Sequence, residues 1–122
     1  MEKSEKVIFI EKLQKRTRDF VVRSTKLYQA LPKTGEAKIF GNQFLRSSSS
    51  MAANYRAACR ARSQKEFFAK MSIVVEETDE TLFWLEIMQE VHFFTEEVLK
   101  PLIDEVTELL SIMSKARKNI YK

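Results

Sequence analysis

The sequence predicts an all-α protein, specifically an up-and-down antiparallel four-helix bundle in which residues 1–122 form a single domain. Apolar residues recur every three or four positions along four segments, which is the period of one helix face. Only two glycines and two prolines interrupt the 122 residues, and residue types with high helix propensity are abundant. The connections between the segments are short, and short connections between long helices favour antiparallel neighbours.

The predicted helices cover residues 7–31, 36–62, 64–91 and 95–119. In the first helix, the residues expected to point inward are Ile10, Leu13, Thr17, Phe20, Ser24, Leu27 and Leu31. Pro32 ends this helix, because the residue before a proline is disfavoured in helical geometry. The second helix has an inward line of Phe44, Leu45, Ser48, Ala52, Tyr55 and Cys59.

Cap signals mark the starts of the last two helices. Ser63 is followed three residues later by Glu66, which is the pattern of a capping box, and Thr95 is a suitable cap for the fourth helix. Their inward residues are Phe67, Met71, Val74, Thr78, Leu82 and Leu85 on the third helix and Leu99, Leu102, Val106, Leu109 and Met113 on the fourth. Pro101 predicts that the fourth helix either starts after Thr95 by several residues or bends at the proline.

Charge is distributed unevenly along the chain. Residues 1–70 carry 16 Lys or Arg against 6 Asp or Glu, whereas residues 71–122 carry 5 against 11. Such asymmetry between two halves predicts a polyanionic partner, or two surfaces of one assembly that attract each other.

A basic stripe lies beside the inward line of the second helix. At about 100° per residue, it consists of Asn42, Arg46, Ser49, Ala53, Arg56 and Arg60. The residues predicted to contact nucleic acid are Arg46, Arg56, Arg60 and Arg62, with a second line of Lys12, Arg16, Arg23 and Lys26 on the first helix. Arginines with small neighbours can approach phosphates closely and release counterions, so the stripe predicts binding to the backbone of RNA or DNA.

A second stripe on the third helix supports a different interpretation. It lies apart from the inward face and consists of Ile73, Glu77, Glu80, Trp84, Ile87 and Val91. A helix with two apolar faces usually packs against two things, so these residues predict a subunit interface in a homo-oligomer. Glu77 and Glu80 could then meet the arginines of a neighbouring copy. In that case the protein is an interaction scaffold, and its arginines serve subunit contacts or an acidic partner.

No pattern for catalysis, cofactor binding or a small-molecule substrate is present. Di-metal helix bundles use Glu-x-x-His, but the only histidine is His92 and the residue three before it is Gln89. The sequence has no glycine-rich phosphate loop and no metal-binding cysteine pair. We therefore expect a protein that is not an enzyme and holds no metal. A single cysteine, and the lack of any apolar run near 18 residues, predict a cytoplasmic protein with no membrane contact.

The run "FLRSSSSMAANYRAACRARSQKEFFAKMSIVVEETDETLFWLEIM" resembles the signature of the ribosomal-RNA intervening-sequence proteins, a family of small bacterial four-helix bundles. The matching elements are Arg46–Ser47, Ser50–Arg56, Arg62–Phe67 and Glu77–Leu85. The resemblance implies assembly as a pentameric ring. It extends distantly to the accessory protein of diversity-generating retroelements, which binds nucleic acid and a reverse transcriptase. Many relatives carry an acid where this chain has Ala57, so this helix is more purely positive.

Overall fold

The computed structural model describes residues 2–119, and within that range four helices and no strands are present. The helices are α1 (Glu5–Gln29), α2 (Gly35–Cys59), α3 (Gln64–Glu90) and α4 (Glu96–Asn119). Each packs against the next one along the chain, and α1 also contacts α4, whereas α2 and α4 lie diagonally across the bundle. The predicted up-and-down four-helix bundle is confirmed.

Serine and threonine side chains cap the first three helices. The Ser4, Thr34 and Ser63 hydroxyls accept the backbone N–H three residues on, at 3.2, 3.3 and 3.0 Å. Each hydroxyl satisfies a donor that the first helical turn leaves without a backbone partner. The start predicted at Ser63 is therefore correct.

Three helices end earlier than predicted, α3 by one residue and α1 and α2 by more. α1 stops at Gln29 and α2 at Cys59, two and three residues before the predicted ends. Beyond both points the backbone N–H groups bond to carbonyls three residues back instead of four, for example Ala30 to Leu27 at 3.0 Å and Arg60 to Ala57 at 3.1 Å. Such three-residue hydrogen bonds are common at the ends of helices. The hydrophobic period of a sequence does not predict the residue at which they begin.

The turn from α3 to α4 depends on an unusual backbone conformation. His92 has a φ of 59°, its N–H donates to the Gln89 carbonyl at 3.1 Å, and the Phe93 N–H donates to the Met88 carbonyl at 3.0 Å. These two bonds form the Schellman motif that commonly terminates helices. α4 then begins at Glu96, directly after Thr95, and continues through Pro101. Of the two alternatives for Pro101, a later start is therefore excluded, and the helix begins close to the predicted residue 95.

The core matches the predicted faces closely on α1 and α4 and less closely on α2 and α3. All five predicted residues of α4 are buried. On α2, Leu45, Ala52 and Cys59 are only half-buried, whereas the buried set is Ala37, Gly41, Phe44, Ser47, Ser48, Met51, Tyr55 and Ala58. The buried face of α2 is turned further towards α3 than predicted, since α2 packs most extensively against that helix.

Hydroxyl groups tie α2 to both of its neighbours inside the core. Ser24 Oγ of α1 lies 2.7 Å from Ser48 Oγ, and the Thr81 hydroxyl of α3 donates to Ser47 Oγ at 2.9 Å. All four residues are fully buried. Small hydroxyl side chains allow close helix approach while satisfying one another, which accounts for two of the four consecutive serines.

Candidate nucleic-acid interface

Arg46 of α2 is paired within its own chain. Its Nη1 donates to Glu77 Oε2 of α3 at 2.9 Å, and its Nη2 donates to Glu80. The hydrogen bond from Glu80 raises the pKa of Arg46 above its ordinary value, although partial burial opposes this. Arg46 therefore differs from the other arginines of the predicted stripe in having two carboxylate partners within its own chain.

The acids of the predicted subunit interface therefore face inward along the α2–α3 edge. Partial burial tends to raise the pKa of Glu80, but hydrogen bonds from Trp84 Nε1, at 3.0 Å, and from Arg46 outweigh it and lower that pKa overall. The Trp84 ring also stacks on Phe40, with ring centroids 5.6 Å apart. Glu77 and Glu80 thus pair with an arginine of the same chain. From the sequence alone, the arginines of a neighbouring copy were considered as partners instead.

The remaining members of that predicted interface are partly open to solvent. Ile73 and Val91 are exposed and Ile87 is half-buried. The structure adds two exposed apolar side chains that the sequence interpretation missed, Ile39 of α2 and Phe83 of α3. Phe83 packs edge-on against Trp84 at 4.9 Å, which makes it continuous with the predicted set.

Arg16 of α1 is also occupied, by two acids of α4. Its guanidinium contacts Glu105 through Nη2 at 2.7 Å and Nε at 3.1 Å, and Glu108 through Nη1 at 3.2 Å. The hydrogen bond to Glu105 raises the pKa of Arg16. Lys12 and Arg23 share this side of α1 by helical spacing. Within the second predicted basic line, Arg16 therefore lies beside α4, and Lys26 is exposed in the last turn of α1.

An open groove of about 540 Å³ separates α1 from α2. Its charged lining consists of Arg18, Arg56 and Arg60, and its other walls are Gln14, Thr17, Val21, Val22, Ser49, Ala52 and Ala53. All three arginines are exposed, and none pairs with a carboxylate among residues 2–119. The acids nearest Arg18 on α1 are engaged elsewhere, Glu11 with Lys3 and Asp19 with Lys15, both at 2.8 Å.

A second groove of about 430 Å³ lies on the other side of α2, towards α3. It shares Arg56 and Arg60 with the first groove and adds Arg62 and Lys70. Arg62 is 91% exposed and reaches Glu66 only at 3.9 Å, which is a weak contact. Lys70 forms no ion pair with any described side chain. We call the set Arg18, Arg56, Arg60, Arg62 and Lys70 the basic crest.

The basic crest keeps three of the predicted contact residues, Arg56, Arg60 and Arg62, and adds Arg18 and Lys70. Sequence reasoning missed these two, because helical period alone does not tell which side of α1 or α3 borders α2. Guanidinium groups offer several N–H donors in a planar fork that fits phosphate oxygens. The crest can therefore hold a row of phosphates.

The described part of the chain offers little support for a metal site, a reactive cysteine or a membrane-spanning helix. Among residues 2–119, no three His, Cys, Asp or Glu side chains are grouped so that they could hold a metal ion. Cys59 is half-buried, and the neighbouring Tyr55 hydroxyl has its pKa raised by burial. None of the described helices combines the length and apolar character needed to cross a membrane.

Comparison with known proteins places the chain in a family. No curated protein shows significant sequence similarity to it. A crystal structure of a protein of unknown function, from the S23 ribosomal protein family of Bacteroides thetaiotaomicron, superposes with a TM-score of 0.81 at 29% identity, covering 87% of this chain and 98% of the other. The model of the 23S rRNA-intervening sequence proteins matches residues 11–115, and the chain therefore belongs to that family.

Proposed function

We propose that the protein is a non-enzymatic, oligomeric helical bundle that binds the backbone of RNA or DNA through the basic crest. The observation that carries this proposal is the contrast among its arginines. Arg16 and Arg46 are each held by two carboxylates of the same chain. Arg18, Arg56 and Arg60 are exposed, and no carboxylate among the described residues neutralises them.

Phosphate is the ligand that best fits such a surface. Each phosphate neutralised by an arginine or lysine releases condensed counterions, which makes backbone binding strong at low salt. Apart from the basic side chains, the first groove is lined mainly by aliphatic, alanine and hydroxyl groups, and the second by two alanines and Glu66. Contacts of this kind fix a nucleic acid in place and do not read its bases. Because the family name refers to 23S rRNA, a fragment of that RNA belongs among the first ligands tested.

We also propose that the protein is a homo-oligomer. The exposed apolar side chains Ile39, Ile73, Phe83 and Val91 support this, since packing against a second copy would remove their apolar surface from water. The pentameric ring implied by the sequence resemblance would repeat the basic crest around a symmetry axis. Repetition raises avidity without any new contact. The single cysteine is consistent with a cytoplasmic location.

A second candidate function is a scaffold for an acidic protein. The floor of the α1–α2 groove favours it, because Val22 is 54% exposed and Val21 and Ala52 line the same groove. An apolar floor bordered by arginines suits an acidic amphipathic helix. This function would leave the protein without affinity for nucleic acid.

The test is binding of labelled RNA and DNA across a salt series, with the mass of the protein in solution measured alongside. We expect Arg56→Glu/Arg60→Glu to abolish binding while leaving helicity and mass unchanged. The matched control is Lys115→Glu/Lys118→Glu, which makes the same change in net charge on exposed positions of α4, across the bundle from α2. Equal loss of affinity in both double variants would show that binding depends on net charge and not on the basic crest. Loss of the oligomer in the arginine variant would favour the scaffold.

A further inference from the structure

We infer that the basic crest takes duplex nucleic acid in preference to single strands, an inference that rests on the proposed function. The first reason is the placement of its charges on three different helices. Arg18 lies on α1, Arg56 in the last turn of α2 with Arg60 directly after that helix, and Lys70 on α3. Neighbouring helix axes in a bundle are about 8–10 Å apart, so the charges spread across the bundle as well as along α2.

A ligand must present phosphates in two directions to use all of these charges. Along α2, Arg56 and Arg60 are one turn apart, about 6 Å at 1.5 Å per residue. Across α2, one groove separates them from Arg18 and the other from Lys70. A single strand follows one line and reaches only the charges on its path. A duplex presents two phosphate backbones on either side of a groove, so it can meet the central pair and a flanking charge together.

The second reason is the absence of a stacking platform. Proteins that bind single strands usually stack the bases on aromatic side chains. Among the described residues, neither of the two grooves that flank Arg56 and Arg60 is lined by an aromatic ring, and a third groove, which has aromatic walls, includes Arg62 alone of the crest. Tyr55 precedes Arg56 in the chain, but it is buried in the core. A single strand on the crest would therefore be held by phosphates alone and would expose its bases to water.

The one place near the crest where a base could stack is the end of the bundle. Phe9 is 51% exposed there, and it lines a groove together with Phe67 and Arg62. This groove is also lined by Tyr55, Ala58 and Cys59 from the last turns of α2 and includes neither Arg56 nor Arg60. Phe9→Ala therefore separates the two modes of binding, because it removes the exposed ring and leaves every charge of the crest in place.

The experiment compares a blunt duplex with each of its strands, in RNA and in DNA, using the full chain across a salt series. We expect the duplex to bind at least about tenfold more tightly at equal salt. One base stacked on an aromatic ring strengthens the binding of a single strand by about this factor, and a strand on the crest has no such contact. With four phosphate contacts, the slope of log affinity against log salt is about −3.6 for the duplex, whereas a strand that reaches only Arg56 and Arg60 makes two contacts and has a slope of about −1.4. Arg18→Glu/Lys70→Glu should weaken duplex binding more than strand binding, and Phe9→Ala should leave duplex binding unchanged.

Several outcomes overturn the inference. Single strands that bind as tightly as the duplex, and lose binding in Arg56→Glu/Arg60→Glu, would remove the duplex preference while the proposed function survives. Strand binding that Phe9→Ala abolishes would move the site to the end of the bundle. Duplex binding unaffected by Arg18→Glu/Lys70→Glu would confine the contact to α2. If neither duplex nor strands bind at low salt, both the proposed function and this inference fail.

Discussion

Arg46 of α2 and Glu77 of α3 form an ion pair at 2.9 Å. The same arginine contacts Glu80, whose carboxylate also accepts a hydrogen bond from Trp84. The pair thus belongs to a small network that fastens α2 to the α3 face on which Trp84 packs. It also separates the arginines by role, since Arg46 pairs with acids of α3, whereas Arg56 and Arg60 are exposed and form no ion pair with a described carboxylate.

We predict that Arg46→Ala lowers the free energy of unfolding by about 1 kcal/mol and leaves nucleic-acid affinity nearly unchanged. Partly exposed pairs contribute at most about that much, and removing the arginine leaves the less exposed Glu77 without its partner. Chemical denaturation measures the first effect and the binding assay the second. Arg62→Ala is the matched control, because its contact with Glu66 at 3.9 Å is weak, and it should not change stability measurably. A large loss of affinity in Arg46→Ala at unchanged stability would return Arg46 to the binding surface.

The lowered pKa of Glu80 predicts a dependence of stability on pH. A carboxyl group with a lower pKa in the folded protein binds fewer protons there than in the unfolded chain. Its contribution is therefore fully present above its ordinary pKa of 4.5 and is lost as the pH falls through the folded value.

We expect Glu80→Gln to be less stable than the parent at neutral pH, by under about 1 kcal/mol for so exposed a pair. The difference should disappear at pH values well below 4.5. Denaturant titrations at several pH values measure it. Glu86→Gln serves as the control, since Glu86 is exposed and pairs with no cation in the described range. A gap between the parent and Glu80→Gln that stays constant down to the lowest pH would show that the carboxylate charge contributes nothing.

Much of the fold could be predicted from the sequence, because period and caps are local properties. The five apolar residues predicted for α4 are all buried, and the Ser63 hydroxyl accepts the Glu66 N–H as the capping box requires. Leu45 shows where this reasoning stops. Its helical period predicted an inward position on α2. Ser47 is buried instead, because the buried face of α2 is rotated towards α3. Which neighbour a face meets is a tertiary property.

The candidate site was predictable only in part, for the same reason. The helical period placed Arg56 and Arg60 outside the core, and both are exposed in the structure, with Arg60 directly after the end of α2. It placed Arg46 there too, but a long arginine side chain can reach around its helix to acids on the next one. Arg18 did not stand out from the other basic residues of α1. Only the packing of α1 on α2 brings it into the groove beside Arg56.

We predict that His92→Gly raises the free energy of unfolding by about 1 kcal/mol. His92 adopts the left-handed conformation, with φ of 59°, which costs a residue with a Cβ about 1–2 kcal/mol and glycine almost nothing. The greater flexibility of glycine in the unfolded chain offsets part of the gain. The side chain is exposed, so little packing is lost. Thermal and denaturant unfolding measure the change, and His92→Val should move stability in the opposite direction. Destabilisation by glycine would indicate that the imidazole itself holds the turn.

The two glycines are predicted to respond in opposite ways to substitution by alanine. A Cβ on Gly41 would lie 2.3 Å from Leu31 Cδ1 and 3.3 Å from Tyr28 Cδ2, whereas a Cβ on Gly35 would meet nothing within 4 Å. Alanine is intrinsically the better helix residue by about 1 kcal/mol. At Gly35, in the first turn of α2, that gain should appear, and Gly35→Ala should be more stable by about 0.5–1 kcal/mol. At Gly41 the buried Leu31 must shift, which in a packed core costs about 1–3 kcal/mol, so Gly41→Ala should be less stable. Paired denaturation curves decide the matter. Two variants stabilised alike would mean that the α1–α2 contact yields to a methyl group at no cost.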